Sequence, residues 1–239
     1  MTRLAGRRLA PPTAGQVCAM VAVDMAEFTR PDRDDDHRMF MREELYRILE
    51  WAFNGSGIPW TGCFTEDRGD GVLVVVSPGI GATGIIDPLP ERLRSLIRRH
   101  NHVSSAAARI QLRAAAHLGP AHYDGRGFVG TDVDFLFRML DARPLRRALA
   151  SAGADLALIV SDYVYRNIVS RHPSLVSPTA FRRVRFQVKH TRAWAWTYVP
   201  SGPPSSAATA AQLVPPTGVP RSSTVQRSAV HRALPPSGT

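Results

Sequence analysis

Lysine is all but missing. Lys189 is the only one in 239 residues, so arginine carries the positive charge. Cysteine is nearly as scarce. Cys18 and Cys63 supply neither a disulfide framework nor a zinc spacing, and both sit in apolar stretches that suit buried small hydrophobes. No run of about 18 apolar residues occurs, which argues against a membrane-spanning helix. VCAMVAVDM (17–25) is too short to span. The N-terminal arginines of MTRLAGRRLAPPTAG lack the rest of a signal-peptide pattern, so a cytoplasmic protein is expected. Acids are absent from residues 201–239, where Pro, Ser, Ala and Gly dominate and large apolar residues are few. Such a stretch cannot bury enough surface to offset its ordering entropy, and it reads as a disordered tail. Residues 1–15 read as a flexible N-terminus, which leaves 16–200 as one folded domain. The net charge of +10 suits an anionic ligand. There is no aromatic-interleaved basic stretch and no nucleic-acid motif, so nucleic acid is not an expected partner.

What is present alternates. Residues 17–24 form a continuous apolar run, expected as a strand. DHRMFMREELYRILEWAF (36–53) places Met41, Leu45, Ile48, Leu49 and Ala52 at helical spacing. Two strands follow at about 60–66 and 71–77, joined by a turn between Gly69 and Gly71. Pro88 and Pro90 open a helix through ERLRSLIRRH, and RIQLRAAAHL (109–118) reads as the next strand. This is the β-α-β-β-α-β order of an α+β, ferredoxin-like core. C-terminal additions follow: a hairpin near 120–130, a helix at 131–149, a strand at 156–160, a short helix at 161–169 and a strand pair at 181–188 and 193–199.

That topology has a chemical consequence. The first and third strands of such a sheet are antiparallel neighbours, so Asp24, ending the first, should meet Asp70, opening the third. Two close carboxylates stay ionised only where cations compensate them. Mg²⁺ takes one or two carboxylates and completes its shell with water and substrate phosphates. Two readings fit: a divalent-metal cradle set in glycine, or an ordinary surface turn beside a capping aspartate.

Five blocks, in order over about 17–199, carry a family likeness. VAVDMAEFT (21–29), EDRGDGVLVV (66–75), LRAAAHLGPAH (112–122), FVGTDVDFLFRML (128–140) and FRRVRFQVKHTRAWAWTYV (181–199) resemble the catalytic domain of class III nucleotidyl cyclases, the adenylate and guanylate cyclases. The resemblance implies conversion of a nucleoside triphosphate to a 3′,5′-cyclic nucleotide and pyrophosphate. It implies two Mg²⁺ or Mn²⁺ ions on Asp24 and Asp70, and phosphates facing the backbone of Met25, Ala26, Glu27 and Phe28. Arg138 would stabilise the transition state, Lys189 would hold phosphates, and Asp134 stands where the family has a ribose-orienting asparagine. Glu66 and Gly127 fall at the base-reading positions. Glu66 favours guanine, Gly127 offers no side chain, and adenine or a pyrimidine stays open. The family assembles its sites across a head-to-tail homodimer.

Three departures motivate an alternative, a degenerate cyclase-homology domain acting as a nucleotide-binding or interaction module. They are Asp134 for asparagine, Gly127, and a lysine followed by His190, Thr191 and Arg192 where the family has glycine-lysine-glycine. The acids of PDRDDDHR (31–38) suit a helix start. His117 ends an apolar strand and reads as structural. HNH (100–102) lacks the surroundings of a nuclease motif. Trp194 and Trp196 read as core or interface residues.

Overall fold

The computed structural model describes residues 11–13, 15–172 and 176–200. The expected tail, and all but Pro11–Thr13 and Gly15 of the expected N-terminal segment, lie outside the described residues.

The chain runs β1 (Val17–Met25), α1 (Asp35–Gly55), β2 (Cys63–Asp67), β3 (Gly71–Val76), α2 (Leu89–Val103) and β4 (Leu112–Pro120). That is the expected βαββαβ order. A small hairpin follows, β5 (His122–Tyr123) and β6 (Phe128–Val129), then α3 (Thr131–Leu140), α4 (Arg143–Ala152) and β7 (Leu156–Ser161). The chain closes with α5 (Asp162–Val164), continued by a wider turn over Tyr165–Val169, and with β8 (Arg182–Val188) and β9 (Thr191–Tyr198). One seven-stranded sheet has the order β2-β3-β1-β4-β7-β9-β8. Among the described strands only β4 and β7 pair in parallel.

β1 is central and covered on both faces, which is why its sequence is apolar throughout rather than alternating. Ala19, Val21, Val23 and Met25 face α1 and α2; Cys18, Met20 and Ala22 face α3 and α4. Helix α1 starts where the acids predicted. Asp34 caps it by accepting the His37 amide at 2.8 Å, and Asp35 and Asp36 fill its first turn. The single helix expected at 131–149 is two. α3 stops at Leu140 and α4 restarts at Arg143, because Ala142 is extended and Pro144 sits in the first turn of α4. Proline lacks the amide that a continuous helix would require there.

Both thiols are packed away. Burial raises the pKa of Cys18 and pushes that of Cys63 up to about 12, so neither is a ready thiolate. The HNH letters also resolve structurally. His100 is buried against the Ala108 carbonyl at 3.0 Å. Asn101 brackets Ile110, donating to its carbonyl and accepting its amide at 2.8 Å each.

Candidate active site

The centre of the sheet ends in a charged rim. Asp24, the penultimate residue of β1, lies opposite Gly71 on β3 and opposite Arg113 on β4. Met25 donates its amide to the Asp70 carbonyl at 2.8 Å, which brings the start of β3 against the end of β1. The two acids that the topology was expected to join are therefore neighbours.

Glycine is needed here for a steric reason. A Cβ on Gly71 would lie 2.1 Å from the Val23 carbonyl oxygen, while Gly69 takes φ +84°, the left-handed region. The turn is also held from outside. Arg42 of α1 donates to the Gly69 carbonyl and, at 2.6 Å, to Asp67, which also accepts from the Tyr46 hydroxyl at 2.7 Å. Asp67 is thus a clamp that secures the turn. The Asp70 carboxylate has no hydrogen-bond or ion-pair partner among the described residues.

Asp24 is differently placed. Arg113 grips its carboxylate with two bonds, Nε at 2.8 Å and Nη2 at 2.7 Å. Both side chains are about 15% exposed. Burial pushes the Asp24 carboxyl up to about 6; Arg113 opposes that rise, and the charge of Asp70 adds to it. One arginine does not compensate two acids and the burial, so the rim retains a deficit of positive charge.

The neighbouring loop is braced by another arginine. Arg33 is buried and donates to the Glu27 carbonyl at 2.8 Å and the Arg109 carbonyl at 2.9 Å, pinning the β1–α1 loop to the segment before β4. Of the four expected phosphate-facing positions, Met25 and Ala26 already commit their amides, to Asp70 and Gln111. Glu27 and Phe28 form no amide hydrogen bond among the described residues. Glu27 sits at φ 55°, which turns the backbone sharply at this point.

Glu66 is engaged too. It accepts the Phe128 amide at 2.9 Å and pairs with Arg68 at 2.7 Å, tying β2 to the β5–β6 hairpin. A Cβ on Gly127 would stand 3.1 Å from the Glu66 carboxylate, so Gly127 makes room for this tie. Asp134 and Arg138 form a second group on α3, 3.9 Å apart, with the Asp134 side chain 73% exposed. Lys189 lies at the tip of the β8–β9 hairpin at φ 51°, exposed. No hydrogen bond or ion pair among the described residues joins Asp134, Arg138 or Lys189 to Asp24 or Asp70.

His117 is structural in its setting, as read. It is buried, with Nδ1 2.8 Å from the Ser161 hydroxyl and Nε2 2.8 Å from Asp132. The residue types of a hydrolase triad are present, but the serine is buried. Ser161 is 2% exposed and its oxygen caps α5 by accepting the Val164 amide.

Sequence reasoning missed Arg33, Arg42 and Arg113. Only Arg113 left a usable signal, since it is a lone charge near the start of an otherwise apolar strand.

Among the described residues no group of three or more His, Cys, Asp or Glu side chains could hold a metal ion. No helix there is long and apolar enough to cross a membrane. No family model matches the chain, and no curated protein matches it. Solved structures do. An adenylate/guanylate cyclase/hydrolase from Silicibacter pomeroyi is 21% identical over 78% of this chain and 98% of its own, with a TM-score of 0.55. The catalytic core of a rhodopsin-guanylyl cyclase with converted specificity, in complex with ATPαS, is 15% identical over 77% of this chain and 96% of its own, at 0.52. A dimeric guanylyl cyclase domain from the aquatic fungus Blastocladiella emersonii is 14% identical over 78% of this chain and 98% of its own, at 0.50. The chain has the fold of the adenylate and guanylate cyclase catalytic domains, at a sequence distance that leaves only the architecture in common.

Proposed function

We propose that this protein is a nucleotidyl cyclase, converting a nucleoside triphosphate to its 3′,5′-cyclic monophosphate and pyrophosphate. One observation carries the reading. An unpartnered Asp70 stands beside an Asp24 whose burial is only partly compensated, at the rim of the central strands in a cyclase fold. An acid pair short of positive charge suits a hard divalent ion, and a carboxylate has lone pairs beyond the two that Arg113 occupies. Asp24 and Asp70 would hold Mg²⁺ or Mn²⁺, which would supply charge stabilisation for a phosphoryl displacement.

The chain's own groups do the rest. In the reaction the ribose 3′-oxygen forms a bond to the α-phosphorus as the bond to pyrophosphate breaks, and the hydroxyl proton leaves to solvent. The Glu27 and Phe28 amides are free to donate to phosphate oxygens, and the Arg33 brace keeps that loop from drifting. Arg138 and Lys189 add positive charge where the phosphates gain negative charge. Within one chain these two residues are not bonded to the Asp24–Asp70 rim. A head-to-tail homodimer, in which α3 of one protomer faces the rim of the other, would complete the site. Asp134 would meet the ribose as an acceptor only. Glu66 already accepts from the Phe128 amide and pairs with Arg68, so its carboxylate would meet a base with its direction fixed and its charge partly met, and discrimination among bases should be weak.

The test is a product screen. Full-length protein with Mn²⁺ or Mg²⁺ is offered each of the four common triphosphates, and products are read by mass spectrometry. A cyclic nucleotide is expected, lost in Asp24→Ala and in Asp70→Ala. No cyclic product from any triphosphate overturns catalysis.

A second reading has its own observation. Glu66 and Asp24 are both already engaged within the chain, as in a domain that binds nucleotide without turning it over. Calorimetry would then show metal-dependent nucleotide binding with no product.

A further inference from the structure

Arginine is spread along the chain, but acid is not. All 20 Asp and Glu residues lie at or before Asp162, where the 20 arginines of the same stretch balance them. The remaining 77 residues hold ten Lys and Arg and no acid, so the entire +10 belongs to the last third of the sequence. Within the described residues, that excess is concentrated on the β8–β9 hairpin.

Strand register turns this composition into a surface. Arg183 lies opposite Trp196, Arg185 opposite Trp194, and Gln187 opposite Arg192, all on the α1–α2 side of the sheet. The alternate positions Val184, Phe186 and Ala195 pack the other way, towards α3 and α4. The Arg183 guanidinium sits over the Trp194 ring at 4.2 Å and Arg185 lies at 6.0 Å from the same ring. Trp194, expected in a core or interface, is 45% exposed. Trp196 is held beneath, stacked on Tyr165 at 3.5 Å and bonded to Asp162. Arg183, Arg185 and Arg192 are exposed and form no ion pair among the described residues, whereas most of the described arginines before Asp162 have an acid or a carbonyl as partner.

Against the expectation drawn from the sequence, which saw no basic stretch interleaved with aromatics, we propose that this face binds single-stranded nucleic acid. Three features select that partner. Arg183 and Arg185 stand at alternate positions of β8, about 7 Å apart, and Arg192 continues the row from β9, which matches a ligand of repeated charge better than a single phosphate. Trp194 and the Arg183 guanidinium laid over it form a stacked pair whose planar surface suits a base, and only an unpaired strand presents its bases for such stacking. Trp194 is the one large exposed hydrophobic of the hairpin, and Arg183 already lies over it, so the face has little to insert into a lipid surface. The surface lies on the side of the sheet away from α3, and the inference does not depend on cyclase activity.

The probe is a fluorescein-labelled 20-mer oligo(U), read by anisotropy with full-length protein from 50 to 200 mM salt. Binding should weaken with salt, and Arg183→Ala/Arg185→Ala should flatten the log–log slope by about 1.4, at about 0.7 per phosphate for a single strand. Trp194→Ala should weaken binding roughly tenfold with the slope unchanged, because stacking releases no counterions. Trp194→Phe should recover part of that loss and serves if the alanine variant melts early. Heparin, which has charge but no bases, should respond to the arginine pair and ignore Trp194. The inference is overturned if the oligonucleotide does not bind at 50 mM salt. It is also overturned if the double variant binds like the wild type, which would move the contact to the residues after Pro200. Binding to phosphatidylserine vesicles without binding to oligo(U) overturns it in favour of a membrane surface.

Discussion

The two ends of the sheet order use arginine in opposite ways. At the β2–β3–β1–β4 end, Arg42, Arg68 and Arg113 each hold a carboxylate, and Arg33 beside them collects backbone carbonyls. At the β9–β8 end, Arg183, Arg185 and Arg192 face solvent or lie over an indole. The first set is part of the structure's internal charge balance and the second is not. Arginine therefore predicts nothing by its count. What matters is whether an acid was folded against it.

Four measurements put that contrast at risk. The largest effect should come from the rim's packing. Gly71→Ala forces a Cβ into the Val23 carbonyl, a backbone atom that cannot step aside, and should cost at least about 3 kcal/mol in urea unfolding, the top of the range for overpacking. Next, Arg113→Ala strands a buried carboxylate and should cost about 3 kcal/mol. Adding Asp24→Ala should recover part of this, since the two residues share one interaction. If the single and double variants are equally unstable, the pair is not what holds the rim.

Third comes pH. The folded Asp24 carboxyl holds its proton to about pH 6, above its ordinary value near 3.8. Protonated Asp24 therefore favours the folded state, and this stability is present below about pH 4 and lost as pH rises through 6. Wild type should lose stability relative to Asp24→Asn across that window, with a slope no steeper than about 1.4 kcal/mol per pH unit. A flat difference would mean that Asp24 is ionised throughout. The smallest effect belongs to the other end of the sheet. Arg185→Ala, at an exposed site with no acid partner, should change stability by less than about 0.5 kcal/mol. A larger loss would make the hairpin's cations structural after all.

Much of the fold was legible because its signals are local or topological. The apolar run of β1, the spacing in α1 and the two glycines around Asp70 fixed three elements. The βαββαβ order then brought Asp24 to Asp70 across 46 positions without any contact being known. The break between α3 and α4 was legible in Pro144 and was passed over, because the apolar spacing continues on either side of it.

The site was harder to read because its partners depend on register. Arg113 meets Asp24 only when β4 pairs with β1 at one particular offset, and a slip of one residue would turn it to the opposite face. Glu66 looked available because its acceptor role is filled by a backbone amide 62 positions away, which no side-chain pattern announces. The Arg–Trp ladder was missed for the same reason. Arg185 and Trp194 are nine positions apart in sequence and become opposite only across a two-residue turn.

One consequence of the sheet's order concerns how copies of this chain can meet. β8 is a terminal strand with a free row of backbone donors and acceptors. It carries arginine at three of its first four positions, and such charge deters a second strand from zipping alongside. Growth of the sheet by strand addition on that side would crowd like charges together. The β8 edge is thereby guarded against open-ended strand addition.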